Sequence, residues 1–194
     1  MEPASPGPCR SAALNHLIDD WRDAVRSGDV DAITRRIKAD LAGQIRSEGV
    51  DLPPSFRRTD PDHYARRLLY RDPELPLTAV VMAWAPNQAT PLHDHSGIWC
   101  VEGVVEGEME VVRYDLLEER GGACRFAEVE RLRAGVGSAG ALIPPLEYHV
   151  LRNPTEETVI TLHVYGGEMD HCGVFEPQGD GSWRREERAL SYHD

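Results

Sequence analysis

Two histidines one residue apart, His93 and His95, sit in the run Pro91-Leu92-His93-Asp94-His95. In an extended segment residues i and i+2 point to the same side, so both imidazoles can face one point. A third, His149, follows Pro144-Pro145-Leu146-Glu147-Tyr148 and can reach that point from a later strand. Three neutral imidazoles suit a first-row transition metal such as iron or zinc, and do not suit calcium or magnesium. Asp94 lies between the first two histidines. Alternation turns it away from the metal, so it is left out of the ligand set.

The elements that must position these residues are short and β-rich. Runs with strand character cover residues 64–70, Thr78–Trp84, Ile98–Val105, Glu108–Leu116, Arg125–Leu132, Ala141–Ile143, Tyr148–Leu151, Thr158–Tyr165, Gly173–Glu176 and Trp183–Leu190. Gly107, Gly121-Gly122, Gly135, Asn153-Pro154 and Gly179-Asp180-Gly181 punctuate them. Many short strands with frequent turns indicate an all-β barrel or sandwich. Ahead of them, Leu14, Leu17, Ile18, Trp21 and Val25 have helical spacing, ended near Gly28. Val30, Ile33, Ile37, Leu41 and Ile45 make a second stripe that stops before Gly49 and Pro53-Pro54. Asp60-Pro61 is expected to cap a further short helix.

A chain of 194 residues is most simply one domain with a sizeable core. Residues 1–10 read as a disordered tail and 11–194 as a single domain, with helices over 11–50 packed on a barrel over about 60–194. With 33 acids against 21 Lys+Arg, the net charge of -12 argues against nucleic acid as a partner. No apolar run is long enough for a membrane span, and the N-terminus lacks the basic region and apolar core of a signal peptide. Cys9, Cys100, Cys124 and Cys172 are scattered, which suits a reducing cytoplasmic setting better than a disulfide scaffold. The chain is expected to be a monomer or weak oligomer.

His93-Asp94-His95 followed by Gly107 resembles the first cupin motif, and Gly140, Pro144, His149 and Asn153 resemble the second. The resemblance implies a jelly-roll-like cupin β-barrel preceded by the N-terminal helical segment. Many cupins place a glutamate ligand shortly after the second histidine. Here Trp99 and Cys100 occupy those positions, and Glu102 falls out of register with them. A three-histidine site with cysteine in place of the carboxylate resembles the thiol dioxygenases, most closely the cysteine dioxygenase family. Tyr64-Ala65-Arg66 is similar to that family's Tyr-x-Arg segment, whose arginine binds the substrate carboxylate. Thr161-Leu162-His163-Val164-Tyr165 is similar to its Ser-x-His-x-Tyr segment, whose tyrosine lies beside the iron. In some members that tyrosine is thioether-linked to the cysteine that Cys100 matches, and Cys172 matches a cysteine near the active-site mouth. The resemblance spans about residues 60–176.

The resemblance implies a non-haem Fe(II) enzyme that oxidises a small carboxylate-bearing thiol to its sulfinic acid with O2. Its ligands would be His93, His95 and His149, its substrate-binding residues Arg66 and Tyr64, and its catalytic residues Tyr165, His163 and Cys100. L-cysteine is the first expectation, because relatives acting on 3-mercaptopropionate commonly have glutamine where Arg66 stands and an arginine shortly after the tyrosine. Residues 166–172 hold none. The segments Thr78–Pro86 and Gly97–Trp99, however, look more like the mercapto-acid branch. A reading of another class is a non-catalytic metal-binding cupin that senses a small molecule, and a third is a zinc- or manganese-dependent isomerase, which usually calls for the missing glutamate. Of two neighbouring arginines on an alternating strand, Arg66 is expected to face inward and Arg67 to form a surface ion pair. Trp99 is read as core packing, His16 as a surface or packing residue, His171 as a mouth or surface residue, and His63 and His193 as solvated surface histidines.

Overall fold

The computed structural model describes residues 11–194; the tail expected at residues 1–10 lies outside the described residues. Two helices open the chain, α1 (Ala12–Val25) and α2 (Val30–Ser47). Ser11 caps α1 by accepting the Leu14 N–H, and Asp29 caps α2 by accepting from Asp31 and Ala32. Leu14, Leu17, Ile18, Trp21 and Val25 are buried as their spacing requires, as are Ile33, Ile37, Leu41 and Ile45. Val30 departs from the second stripe, because as the first residue of α2 it stays exposed.

Eleven strands follow: β1 (Ala65–Arg71), β2 (Thr78–Trp84), β3 (Leu92–His93), β4 (Cys100–Glu106), β5 (Glu108–Arg120), β6 (Ala123–Gly135), β7 (Ala139–Leu142), β8 (His149–Arg152), β9 (Val159–Tyr165), β10 (His171–Pro177) and β11 (Trp183–Ala189). One sheet has the order β1-β2-β9-β4-β7. The other runs β10-β11-β6-β5-β8-β3, and β3 pairs back onto β10 to close it. The fold is thus a jelly-roll-like cupin barrel behind two helices. No helix among the described residues is long and apolar enough to cross a membrane.

The five-stranded sheet is buried on both faces, and its pleat sorts side chains between two cores. Ala79, Val81 and Ala83 of β2, Val101 and Val105 of β4, and Ile160, Leu162 and Val164 of β9 join the helices in one cluster. Val80, Met82, Trp84, Cys100, Val104, Val159 and Tyr165 face the barrel interior in another. Trp99 belongs to the helix-side cluster, as expected of a packing residue.

Three details differ from the sequence reading. Asp60-Pro61 does not start a helix: Asp60 accepts the Asp62 and His63 N–H groups in a turn, and the short 3-10 helix lies upstream at Pro54–Arg57. Strand β5 runs on past Leu116 to Arg120 and β6 begins at Ala123, ahead of Arg125, because the two keep pairing along a largely exposed hairpin that apolar alternation does not mark. Strand β3 has only two residues, too short for any periodic signal, although it carries His93.

Candidate metal centre and substrate cavity

His93 ends β3 and His149 begins β8, and the two are direct partners across these antiparallel strands. Their Nε2 atoms lie 3.2 Å apart. His95 follows in a turn, with its ring centroid 5.2 Å from that of His93 and 5.0 Å from that of His149. One potential ligand atom from each of the three lies within 4.8 Å of the others. Asp94 points away, as alternation requires. Its carboxylate accepts the Gly173 N–H at 2.7 Å, the Ser96 N–H at 3.0 Å and Arg185 Nε at 3.0 Å. A Cβ at Gly173 would collide with that carboxylate, so β10 needs a glycine where the HxH turn is anchored.

Each imidazole has an acceptor near its other nitrogen. His93 Nδ1 lies 3.1 Å from the Pro91 carbonyl, His95 Nδ1 lies 3.7 Å from Glu147, and His149 Nδ1 lies 3.7 Å from Glu102. The Pro91 carbonyl favours a proton on His93 Nδ1 and leaves its Nε2 with a lone pair, the state a metal ligand needs; at 3.7 Å the two carboxyl groups are too far for hydrogen bonds, and the Nδ1 atoms of His95 and His149 have no hydrogen-bond partner among the described residues. Burial drives His93 down to about 3, assisted by neighbouring His95. Burial, then His93 and His95, hold His149 well below the usual histidine range. Two neutral Nε2 atoms 3.2 Å apart fit one shared ion at bond lengths of about 2.1 Å. The donor set therefore fits a first-row transition ion.

Glu102 is the residue that sequence reasoning set aside. It is two residues beyond Cys100 on β4 and so shares its interior face, paired across β9 with His163. Its carboxylate lies between His149 Nδ1, at 3.7 Å, and His163 Nδ1, at 3.5 Å. Burial pushes it up to about 8. On its other side, His163 Nε2 lies 2.8 Å from the Thr161 hydroxyl, which accepts Trp84 Nε1–H at 2.9 Å. A polar line thus runs through Thr161 and His163. It ends on a carboxylate that also faces a candidate metal ligand. The i+2 spacing from Cys100 was the available signal. Glu147 was also passed over; it accepts the His95 N–H at 3.0 Å.

The three histidines open on a small cavity, about 30 Å³, whose walls include Tyr64, Arg66, His163, Tyr165, Cys172 and Arg188. Arg66 is 4 % exposed. It donates to the Ser191 and Met169 carbonyls at 3.3 and 3.0 Å, and no carboxylate of the described residues pairs with it. Arg67 points the other way and does not form the expected surface ion pair: it is 8 % exposed and donates to the Arg58 and Asp194 carbonyls. Cys100 and Tyr165 are register partners on adjacent strands, both buried. Burial keeps the Cys100 thiol and the Tyr165 phenol well above their usual ranges, so both carry their protons. Tyr64 stacks on Trp84 with centroids 4.4 Å apart. Cys172 is buried against the cavity, whereas His16, His63 and His171 are exposed as expected. His193 is not a solvated group; it is hydrogen-bonded to the backbone of Arg66. Arg188, brought in opposite Cys172 by the β10–β11 pairing, is a cation that no local motif signals.

The family model described as cysteine dioxygenase type I matches residues 6–178. This chain belongs to that family. Solved structures with a similar fold include a protein of Thermus thermophilus, at 21% identity, covering 60% of this chain and 95% of that one, with TM-score 0.44. A Cupin 2 conserved barrel domain protein of Salinispora arenicola is similar at 21% identity over 59% and 84%, with TM-score 0.42. An oxalate oxidase in complex with the substrate analogue glycolate is similar at 15% identity over 63% of each chain, with TM-score 0.44.

Two predictions come from this geometry. Glu102→Gln should keep the fold and weaken retention of a first-row divalent metal about 10–100-fold, measured by competition with a chelator; unchanged retention would show that Glu102 does not support His149. The second concerns the metal-free protein. His93 and His163, both brought down to about 3 by burial, take up fewer protons than the unfolded chain. Their contribution is therefore present above about pH 6.5 and lost as pH falls towards 3. Glu102 acts oppositely, contributing at low pH and losing that contribution as pH rises to about 8. The thermal midpoint should peak near pH 6.5, and the alkaline decline should flatten in Glu102→Gln. A midpoint indifferent to pH from 3 to 6.5 would contradict the assignment.

Proposed function

We propose that this chain is an Fe(II)-dependent thiol dioxygenase that converts a small carboxylate-bearing thiol and O2 to the corresponding sulfinic acid, with L-cysteine as the first candidate. One observation carries the reading: the buried Arg66 guanidinium, with no carboxylate partner, faces the same cavity as the three histidines. A buried cation without an anion is costly, and a substrate carboxylate would supply the missing charge. The planar guanidinium can hold that carboxylate by paired N–H groups, which a lysine could not.

In this reading His93, His95 and His149 hold the iron. Bound there, Fe(II) would stabilise the thiolate and bring thiol and dioxygen together. Arg66 fixes the far end of the substrate, and Tyr64 lines the wall beside it. Tyr165, held protonated by its burial, offers a phenolic donor into the cavity. His163 stays neutral and passes its orientation through Thr161 and Glu102. The free, buried cysteines among the described residues suit a reducing, cytoplasmic setting.

One observation favours a second reading. Arg188 gives the cavity a second cation, which suits a mercapto-acid with more anionic character than cysteine. Oxygen uptake by the iron-loaded protein with L-cysteine, 3-mercaptopropionate, mercaptosuccinate and cysteamine ranks these choices, with sulfinate identified by mass. Carboxylate-bearing thiols should be consumed and cysteamine should be poor. Arg66→Gln should raise KM for the carboxylate substrates about 10–100-fold, the loss of a charge-assisted pair. His149→Ala should lose iron and turnover but stay folded. No uptake with any thiol would leave the non-catalytic, metal-binding sensor.

The Cys100–Tyr165 register pair supports a thioether crosslink between the two as a further part of this reading. After reduction, active protein should weigh less than its sequence by a pair of hydrogen atoms; full mass in active protein would remove the crosslink.

A further inference from the structure

Strand β1 is the outer strand of its sheet, so among the described residues no strand lies beside one of its backbone edges. Such an edge leaves N–H and C=O groups to be satisfied elsewhere. At Arg66 they are taken by His193: the His193 N–H donates to the Arg66 carbonyl at 2.7 Å, and the Arg66 N–H donates to His193 Nδ1 at 3.1 Å. The segment after β11 is therefore docked on β1 at the residue whose guanidinium enters the cavity. The same segment holds the side chain. Arg66 donates to the Ser191 carbonyl, and the Tyr192 ring lies 5.3 Å from the guanidinium carbon. Tyr192 is fixed in turn, because its hydroxyl donates to Glu168 at 2.6 Å and Glu168 takes a two-pronged bond from Arg71 at 2.5 and 2.7 Å. Arg71 belongs to β1 as well, so the contacts close a loop from β1 through Glu168 and Tyr192 back to Arg66.

His193 also lies near Asp60 and His63, with ligand atoms of all three within 4.8 Å of one another. The backbone N–H at Nδ1 decides what this cluster is. A neutral ring that accepts there carries its proton on Nε2, the nitrogen 3.7 Å from Asp60 Oδ2. That proton occupies the position a cation would need, so the cluster is a clasp on the segment and not a second metal centre.

We propose that residues 190–194 form a positioning strap, with Tyr192 and His193 as its working parts, that aims Arg66 at the substrate carboxylate and so sets the preference for carboxylate-bearing thiols. This rests on the role of Arg66 proposed above. Tyr192 and His193 line no part of the reacting centre and act through Arg66. A guanidinium on a long side chain has many rotamers, and holding it in one conformation removes an ordering cost from binding. Leu190 reaches the cavity wall directly, with its N–H bonded to the Asp170 carbonyl at 2.7 Å.

The test compares L-cysteine with cysteamine, which lacks the carboxylate, by anaerobic calorimetric titration of the iron-loaded full chain and by steady-state KM and kcat. Tyr192→Ala should weaken L-cysteine binding about tenfold, in both Kd and KM, with cysteamine affected less than about twofold. Tyr192→Phe, which keeps the ring over Arg66, should recover most of the loss. His193→Ala removes the acceptor at the Arg66 N–H and makes the same comparison if Tyr192→Ala does not accumulate folded. Arg66→Gln is the reference. If it erases the cysteine preference while the strap variants keep it, the strap is overturned and the role of Arg66 stands. If Arg66→Gln leaves the preference intact, the role of Arg66 itself falls. Equal weakening of both ligands by the strap variants would mean general damage and would also overturn the proposal.

Discussion

Three imidazoles must converge, uncharged, in a place that water hardly reaches. Burial keeps His93 and His149 from taking up the second proton that would charge them. Their convergence comes from one register pair, His93 with His149. A slip of one residue in that pairing would turn one of them to the opposite face. The anchors around the site oppose such a slip. Asp94 ties the HxH turn to Gly173 and Arg185, and Asn153, after His149, donates its amide to the Trp84, Ala85 and Glu157 carbonyls.

The five-stranded sheet applies the same logic at larger scale. Its odd and even positions serve different cores, which is why apolar residues occur almost continuously along β2 and β9. The polar exceptions, Thr161 and His163 on β9 with Glu102 on β4, all fall on the barrel face. They form one line of groups, from Trp84 to the edge of the candidate metal centre. The helices supply the opposite requirement. By covering the outer face they let that sheet be buried on both sides, and β4 carries Gly103 where Leu41 of α2 presses close.

Charge is distributed with equal economy. Several arginines of this acidic chain pair with carboxylates at the surface, as Arg113 does with Glu130 and Arg133 with Glu108. Such exposed pairs add little stability. Arg66, like Arg67, is buried and held by carbonyl oxygens, but it faces the cavity and is further held by the Tyr192 ring and the backbone contacts of His193. Carbonyls orient a guanidinium without neutralising it, which leaves its charge available to an incoming anion.

By itself the sequence determined the elements with strong local signals. Both helices follow from their apolar stripes, and most strands from alternation and turn residues. The three histidines, Arg66, Cys100, His163 and Tyr165 stand in the short motifs that pointed to the family matched here. What escaped the sequence depended on distant pairing. Strand β3 is defined only by its partners β8 and β10. Glu102 gains its meaning from facing two histidines on other strands, and Arg188 from the register that sets it opposite Cys172. His193 reads as a surface histidine until the fold lays its segment along the edge of β1, 127 positions away in the chain. Local periodicity records which side a residue faces. Only the closed barrel decides what it meets there, because those neighbours come from strands far apart in sequence.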